Sequence, residues 1–184
     1  MKRMQILLLI LALALTLAAC GGKPSEDNAG NGAQQTGDAS GSIPAPKAGS
    51  ELVFSYKDCP LPMNAEFAPL LEYLGEPDKY FEAASCAFEG LDKTYTYGGL
   101  EIITYPNEEK DFISSIRLLD DSVSTPEGIT IGSTPEDVTA AYGEDYEELG
   151  SQYVYKNGDA TLTVLFEDGA AISVEYIALN DLLG

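Results

Sequence analysis

The 184-residue chain contains no histidine, and only 10 lysines and arginines stand against 30 aspartates and glutamates. Without histidine, Ser/His and Cys/His catalysis are excluded, as are the usual zinc sites. The scarcity of basic residues argues against nucleic acid and against electrostatic docking onto anionic lipid. The acidity reads instead as a well-solvated surface. No glycine-rich stretch is followed by Lys-Ser/Thr, so there is no phosphate loop. "DDSVSTPEG" lacks the alternating ligands and closing glutamate of a calcium loop. The acids of "NEEKD", "LDDS" and "GEDYEE" fall at turns or helix ends, where they serve solubility and capping. No catalytic residue, metal or cofactor is therefore expected, although composition alone leaves a paired-carboxylate site open.

Long hydrophobic runs are also lacking, with one exception. Ile6 to Leu17 is nearly unbroken and follows Lys2 and Arg3. It falls short of the roughly 20 apolar residues that span a bilayer and reads as a secretory signal over residues 1–19. It closes in "LAAC", Leu17-Ala18-Ala19-Cys20, which resembles the lipobox of bacterial lipoproteins. The resemblance implies cleavage before Cys20 and a diacylglyceryl group on its sulfur, placing the chain on the extracytoplasmic side of a bacterial membrane. Two acyl chains hold a protein on a membrane far more firmly than one. Residues 20–50 are then the lipidated cysteine and a flexible linker, rich in Gly, Ala, Ser, Asn and Gln. Such a stretch buries too little apolar area to offset its ordering entropy, and its mean reach is roughly 30 Å.

Residues 51–184 remain as one globular domain, long enough to bury a core. Without Lys2 and Arg3 the chain keeps 8 basic and 30 acidic residues, a formal charge of −22. Once Cys20 is assigned to lipid, Cys59 and Cys86 form an even pair in an oxidising setting. A disulfide is expected between them, two separately buried thiols being the alternative.

A pattern occurs twice in this domain, over about 64–120 and about 133–179. In the first copy Phe67, Leu70, Leu71 and Leu74 form a helical stripe, shortened by Pro69 and stopped by Gly75. In the second, Thr134 caps, Pro135 opens the helix, Asp137 completes the capping pattern and Gly143 ends it. "KTYTY", "LEIITY" and "FISSIRLL" then read as three strands, as do "QYVYK", "DATLTVLF" and "AAISVEYIAL". The expected fold class is α+β: two tandem helix plus three-stranded antiparallel meander units, with the helices packed on one face of the sheet.

Turn chemistry predicts registers. Gly98-Gly99 places Tyr97 opposite Leu100 and Tyr95 opposite Ile102. Asn157-Gly158 places Tyr155 opposite Ala160 and Tyr153 opposite Leu162. A three-residue turn ending in Gly169 places Val164 opposite Ile172 and Leu162 opposite Val174. The core face of the second unit is then Tyr153, Tyr155, Leu162, Val164, Phe166, Ile172, Val174 and Tyr176. The paired tyrosines point with these aliphatic residues, which makes them core residues with hydroxyls at the rim. The opposite face is polar but carries Ile103, Tyr105, Leu165 and Ile177 beside Arg117 and Glu175, a mixture that suits protein recognition.

The stretch "GITIGSTPEDVTAAYG", Gly128 to Gly143, resembles the helix start of the SmpA/OmlA envelope lipoproteins, whose fold is shared by the tandem β-lactamase-inhibitory protein. The resemblance covers about Ala65 to Leu179, by architecture more than by letter. It implies helices on one side of an antiparallel sheet and, as in the tandem inhibitor, an exposed sheet face that grips a partner. The first copy departs from the pattern: it lacks the Gly-x-Ser/Thr start and carries about nine extra residues, including Cys86. Inhibition of a β-lactamase is not carried over.

The expected function is a lipid-anchored binding module without catalysis. It would meet the membrane through its anchor and an envelope or extracellular protein through Ile103, Tyr105, Arg117, Leu165, Glu175 and Ile177. The alternatives are a small envelope enzyme with paired carboxylates and an accessory solute-binding lipoprotein.

Overall fold

The computed structural model of the chain describes residues 51–179. The expected signal segment, lipid-bearing Cys20 and linker lie outside the described residues, as do 180–184.

The described chain opens with a hairpin, β1 (Phe54–Tyr56) and β2 (Cys59–Leu61), turning through Lys57 and Asp58 at φ of 49° and 62°. Helix α1 (Phe67–Leu74) follows, then strands β3 (Lys79–Ala84), β4 (Leu91–Tyr97), β5 (Leu100–Asn107) and β6 (Lys110–Leu118). Helix α2 (Pro135–Tyr142) precedes β7 (Glu147–Leu149), β8 (Gln152–Asn157), β9 (Ala160–Glu167) and β10 (Ala170–Ala178). Strands β3 to β10 form one eight-stranded antiparallel sheet in the order β3-β4-β5-β6-β10-β9-β8-β7. No helix of the described residues is long and apolar enough to cross a membrane.

The expected α+β class of two helix plus three-stranded meander units is thereby corrected. Among the described residues the fold is mostly β, with two helices of 8 residues each against one continuous sheet of 8 strands. Two of those strands, β3 and β7, stand outside the Tyr-x-Tyr strands at the sheet edges. All their residues are exposed, so neither carries the apolar alternation by which a strand is read. A third unforeseen element is the β1–β2 hairpin, whose Phe54, Cys59 and Leu61 are buried.

Both helices form for local reasons. In α1, Pro69 lies in the first turn, where a missing N–H leaves no intrahelical bond unmade. In α2, the Thr134 hydroxyl accepts from the Asp137 N–H at 3.2 Å while the Asp137 carboxylate accepts from the Thr134 N–H at 2.9 Å. Replacing Thr134 by Ala is expected to cost about 1 kcal/mol, read as a lower urea midpoint at unchanged m-value. Each helix stops at a glycine with positive φ, Gly75 at 80° and Gly143 at 88°. A tyrosine from the sheet then locks each stop. The Tyr97 hydroxyl donates to the Gly75 carbonyl and the Tyr155 hydroxyl to the Gly143 carbonyl, both at 2.9 Å.

One face of the sheet is the core. A row of directly opposed residues, Tyr80, Tyr95, Ile102, Ile116, Tyr176, Leu162 and Tyr155, crosses it from β3 to β8. Onto this face pack Phe67 against Tyr95, Phe54 edge-on to Tyr176, Tyr56 against Tyr97 and Tyr142 against Tyr155. The helices and the hairpin thus share the covering that the helices alone were expected to provide.

Of the three predicted registers, the one at Gly98-Gly99 is found as expected. The next hairpin turns through Gly158 and Asp159 instead of Asn157 and Gly158, so Tyr155 opposes Leu162 and Tyr153 opposes Val164. A single positive φ, 59° at Gly158, is enough for this turn, and Asn157 stays in the strand. Because the slip is two residues, no side chain changes face. The last hairpin turns through Asp168 and Gly169, and a bulge follows between Ala171 and Ser173. Ala171 takes the core position, and Ile172, expected in the core, is 48% exposed. The cause is distant in sequence. Ala171 donates to the Ser133 carbonyl and accepts from the Gly132 N–H, both at 2.8 Å, so the segment leading into α2 pulls β10 out of register. An analogous bulge in β6 lies beside Ile113, which exchanges 3.0 Å bonds with Asn64 and Ala65 ahead of α1.

Candidate functional site

The face opposite the helices follows from the same alternation. Lys79, Thr96, Glu101, Arg117, Glu175, Thr163, Val154 and Glu147 form one cross-strand row. The neighbouring row holds Phe81, Thr94, Ile103, Ser115, Ile177, Thr161 and Lys156. Arg117 sits between two carboxylates, 3.4 Å from Glu101 and 3.2 Å from Glu175. Its side chain stays 42% accessible, so the pair of bridges orients the guanidinium without burying it. Such exposed pairs add little stability.

The expected partner-binding residues do not all remain available. Arg117, Glu175 and Ile177 meet at the β6–β10 junction, and Ile177 is 36% exposed. Ile103 and Leu165 are half-buried, Leu165 lying on β9 opposite Ser173. Tyr105 is corrected: it is only 5% exposed, with Phe88 stacked on it at 5.0 Å and Phe112 at 5.8 Å. The segment 85–90 folds over that end of the face, held by the Ser85 N–H donating to the Gly90 carbonyl at 3.0 Å. Gly90 is needed there, since its φ is 133° and a Cβ would lie 2.9 Å from Pro106 Cβ.

Phe81, Lys79 and Leu149 also border this face and were missed. Phe81 is 65% and Leu149 52% exposed. "KYFEAA" carries a usable signal, two aromatics between charged residues, but a run read as an insertion gives no reason to assign it a face.

The two cysteines of the described residues, Cys59 and Cys86, are unbonded. Cys59 lies buried in β2, where burial pushes its thiol up, and Cys86 is exposed in the 85–90 segment. The expected disulfide is thus not formed, each sulfur being held in a separate element.

Behind the sheet lies a partly buried polar cluster. The Tyr142 hydroxyl donates to the Glu127 carboxylate at 2.5 Å and meets the Tyr176 hydroxyl at 2.9 Å. Burial first, then the neighbouring tyrosine and Glu127, drive the Tyr142 hydroxyl well above its ordinary range; burial raises Tyr176 likewise. This cluster ties the loop before α2 to the core, since Thr125 beside it also accepts from the Ile129 N–H at 3.1 Å. Among the described residues, no three Cys, Asp or Glu side chains converge to hold a metal ion.

No family model matches the chain, and no curated protein matches it. Among solved structures, the crystal structure of a cysteine-rich secretory protein from Staphylococcus aureus subsp. aureus Mu50 is similar over 63% of this chain and 44% of that one, with 15% identity and a TM-score of 0.42. The chain thus spans less than half of that neighbour's length. A likeness of this size carries no argument about fold or function.

Proposed function

We propose that the chain is a lipid-anchored, extracytoplasmic binding module that docks a protein on the exposed face of its sheet and performs no catalysis. The lipobox and linker support the anchor. One observation supports the docking face above others: Arg117, bracketed by Glu101 and Glu175, lies beside the exposed Ile177 on the side away from both helices. A fixed cation with apolar neighbours is the composition of an interface anchor, because Arg offers directional donors and a stem that packs. Ile103 and Leu165 extend the patch, and Tyr105, covered by Phe88, is left out of it.

The test pairs two measurements on the mature protein. Mass spectrometry of the N-terminus reads the diacylglyceryl group on Cys20; its absence sinks the anchor. For the face, Arg117→Ala combined with Ile177→Glu is expected to weaken a captured and purified envelope partner at least tenfold, about 1.4 kcal/mol. Folding stability should move by no more than about 1 kcal/mol, since both side chains are accessible. Partner affinities equal in parent and variant would remove the face from the proposal.

A further inference from the structure

A trough runs along β4 on the open face, beside the sheet edge. Lys79, Tyr80, Phe81, Thr94, Thr96 and Glu101 line it, and its volume is about 460 Å³. The register explains the shape. Lys79, Thr96 and Glu101 stand in one row, Phe81, Thr94 and Ile103 in the next. Short threonines on the middle strand between long side chains on both neighbours leave a gap two strand spacings wide, about 10 Å. The trough is therefore written into "KTYTY", whose tyrosines fill the core while its threonines floor the other side.

The lining is uncommitted. Among the described residues the Lys79 ammonium, the Thr94 and Thr96 hydroxyls and the Phe81 ring engage no side-chain partner. Glu101 is held from its far side by Arg117, which fixes the carboxylate and leaves it acceptor capacity. Phe81, at 65% exposed on a free edge strand, would ordinarily be a liability for association. Here it walls a polar floor.

This chemistry selects a class of ligand. An aromatic face attracts the C–H groups of an apolar surface. The two floor hydroxyls each donate and accept, and they lie about 7 Å apart, the scale of one sugar ring. Lys79 adds a donor and Glu101 an acceptor of opposite charge, so the lining has no net pull on an anion. Over the whole sequence, 30 acidic against 10 basic residues disfavour polyanions. A neutral ring with one C–H face and a rim of hydroxyls satisfies every one of these groups. An apolar peptide side chain would cover the phenyl ring and leave both hydroxyls and both charges unpaired. We infer that the trough is a binding subsite for a neutral pyranose of an oligosaccharide, with Phe81 stacking on the ring and Thr94, Thr96, Lys79 and Glu101 holding its hydroxyls. The inference does not rest on the protein-docking proposal, because its stacking and floor residues lie outside the Arg117–Ile177 patch.

A shallow site for one ring predicts dissociation constants on the order of 1 mM. The mature protein is titrated with tetra-N-acetylchitotetraose, cellotetraose and maltotetraose by saturation-transfer NMR, with tetragalacturonate as the anionic comparison. Saturable transfer to the C–H protons of at least one neutral tetrasaccharide is expected. Phe81→Ala should weaken it at least tenfold and Thr94→Val with Thr96→Val at least fivefold. Tyr73→Ala, which removes a 63%-exposed ring on α1 away from the trough, should leave it unchanged. Because Val replaces Thr at constant shape on a strand, the double variant remains informative even if Phe81→Ala does not fold. Absence of saturable transfer to all three neutral sugars overturns the assignment. So does equal binding in the Phe81 and Tyr73 variants, preference for tetragalacturonate, or perturbation of the same residues by a neutral extended peptide and by no sugar.

Discussion

Replacing Ile116 by Ala is expected to lower the unfolding free energy by about 3–4 kcal/mol, whereas Ile172→Ala should change it by less than about 0.5 kcal/mol. Both residues are isoleucines on long strands, so strand propensity does not separate them. Ile116 is fully buried, with Ile102 and Tyr176 directly opposite on the two flanking strands. Its truncation leaves a cavity at the one junction, β6 with β10, that makes the two runs of strands a single sheet. Against a total stability on the order of 5–15 kcal/mol, such a loss is severe. For a described domain of this size it corresponds to a fall in melting temperature of roughly 10–15 °C. Ile172 projects from the β10 bulge into solvent. Paired urea denaturation of the two variants decides the matter, and a cost at Ile172 equal to that at Ile116 would refute the bulged register.

Raising the pH from 8 to 12 is expected to unfold the protein through its tyrosines. In an unfolded chain a tyrosine titrates near 10. In the fold, burial pushes Tyr155 up to about 12 and also raises Tyr95 and Tyr97. Tyr142 and Tyr176 rise further still, first through burial. A raised acid holds its proton longer when folded than when unfolded. Above pH 10 the unfolded state therefore binds fewer protons, and stability falls with pH. The contribution is complete below about pH 10 and is lost as the pH climbs from there through about 12. Tyr155 alone accounts for on the order of 2 kcal/mol. The chain has 11 tyrosines and no tryptophan, so absorbance at 295 nm follows tyrosinate without interference. The native titration should lag that in 8 M urea, and the urea midpoint at pH 11 should lie below that at pH 8. Superimposed native and denatured titrations would contradict the burial of these rings.

The parts of this molecule that were legible beforehand are those governed by neighbours in sequence. Thr134, Pro135 and Asp137 announce a helix start because capping involves residues three apart. Gly98 announces a hairpin because tolerance of a positive φ, here 56°, is a property of the residue itself. Tyr95 and Tyr97 could be assigned to the core because alternation carries the facing of each side chain. The illegible parts depend on encounters between distant segments. Ile172 leaves the core because Gly132 and Ser133 bond to Ala171. Tyr105 disappears beneath Phe88, 17 residues earlier in the chain. Lys79 to Ala84 becomes an edge strand although every side chain in it is exposed, because β4 supplies the partner.

By itself, the sequence determined the facing of side chains along unbulged strands such as β4 and β8, the positions of the helix stops and the supply of hydroxyls and acids to the open side. Whether the two strand runs remain separate or join was decided only by the tertiary structure, through pairs such as Arg117 with Glu175, which stand 58 residues apart. The joining also decided which open-face residues gather into the Arg117 patch and which line the trough along β4. The physical reason is one of range. Backbone dihedrals and side-chain alternation are set within a few residues, whereas a strand's partner is chosen by how much apolar surface the whole chain can bury at once.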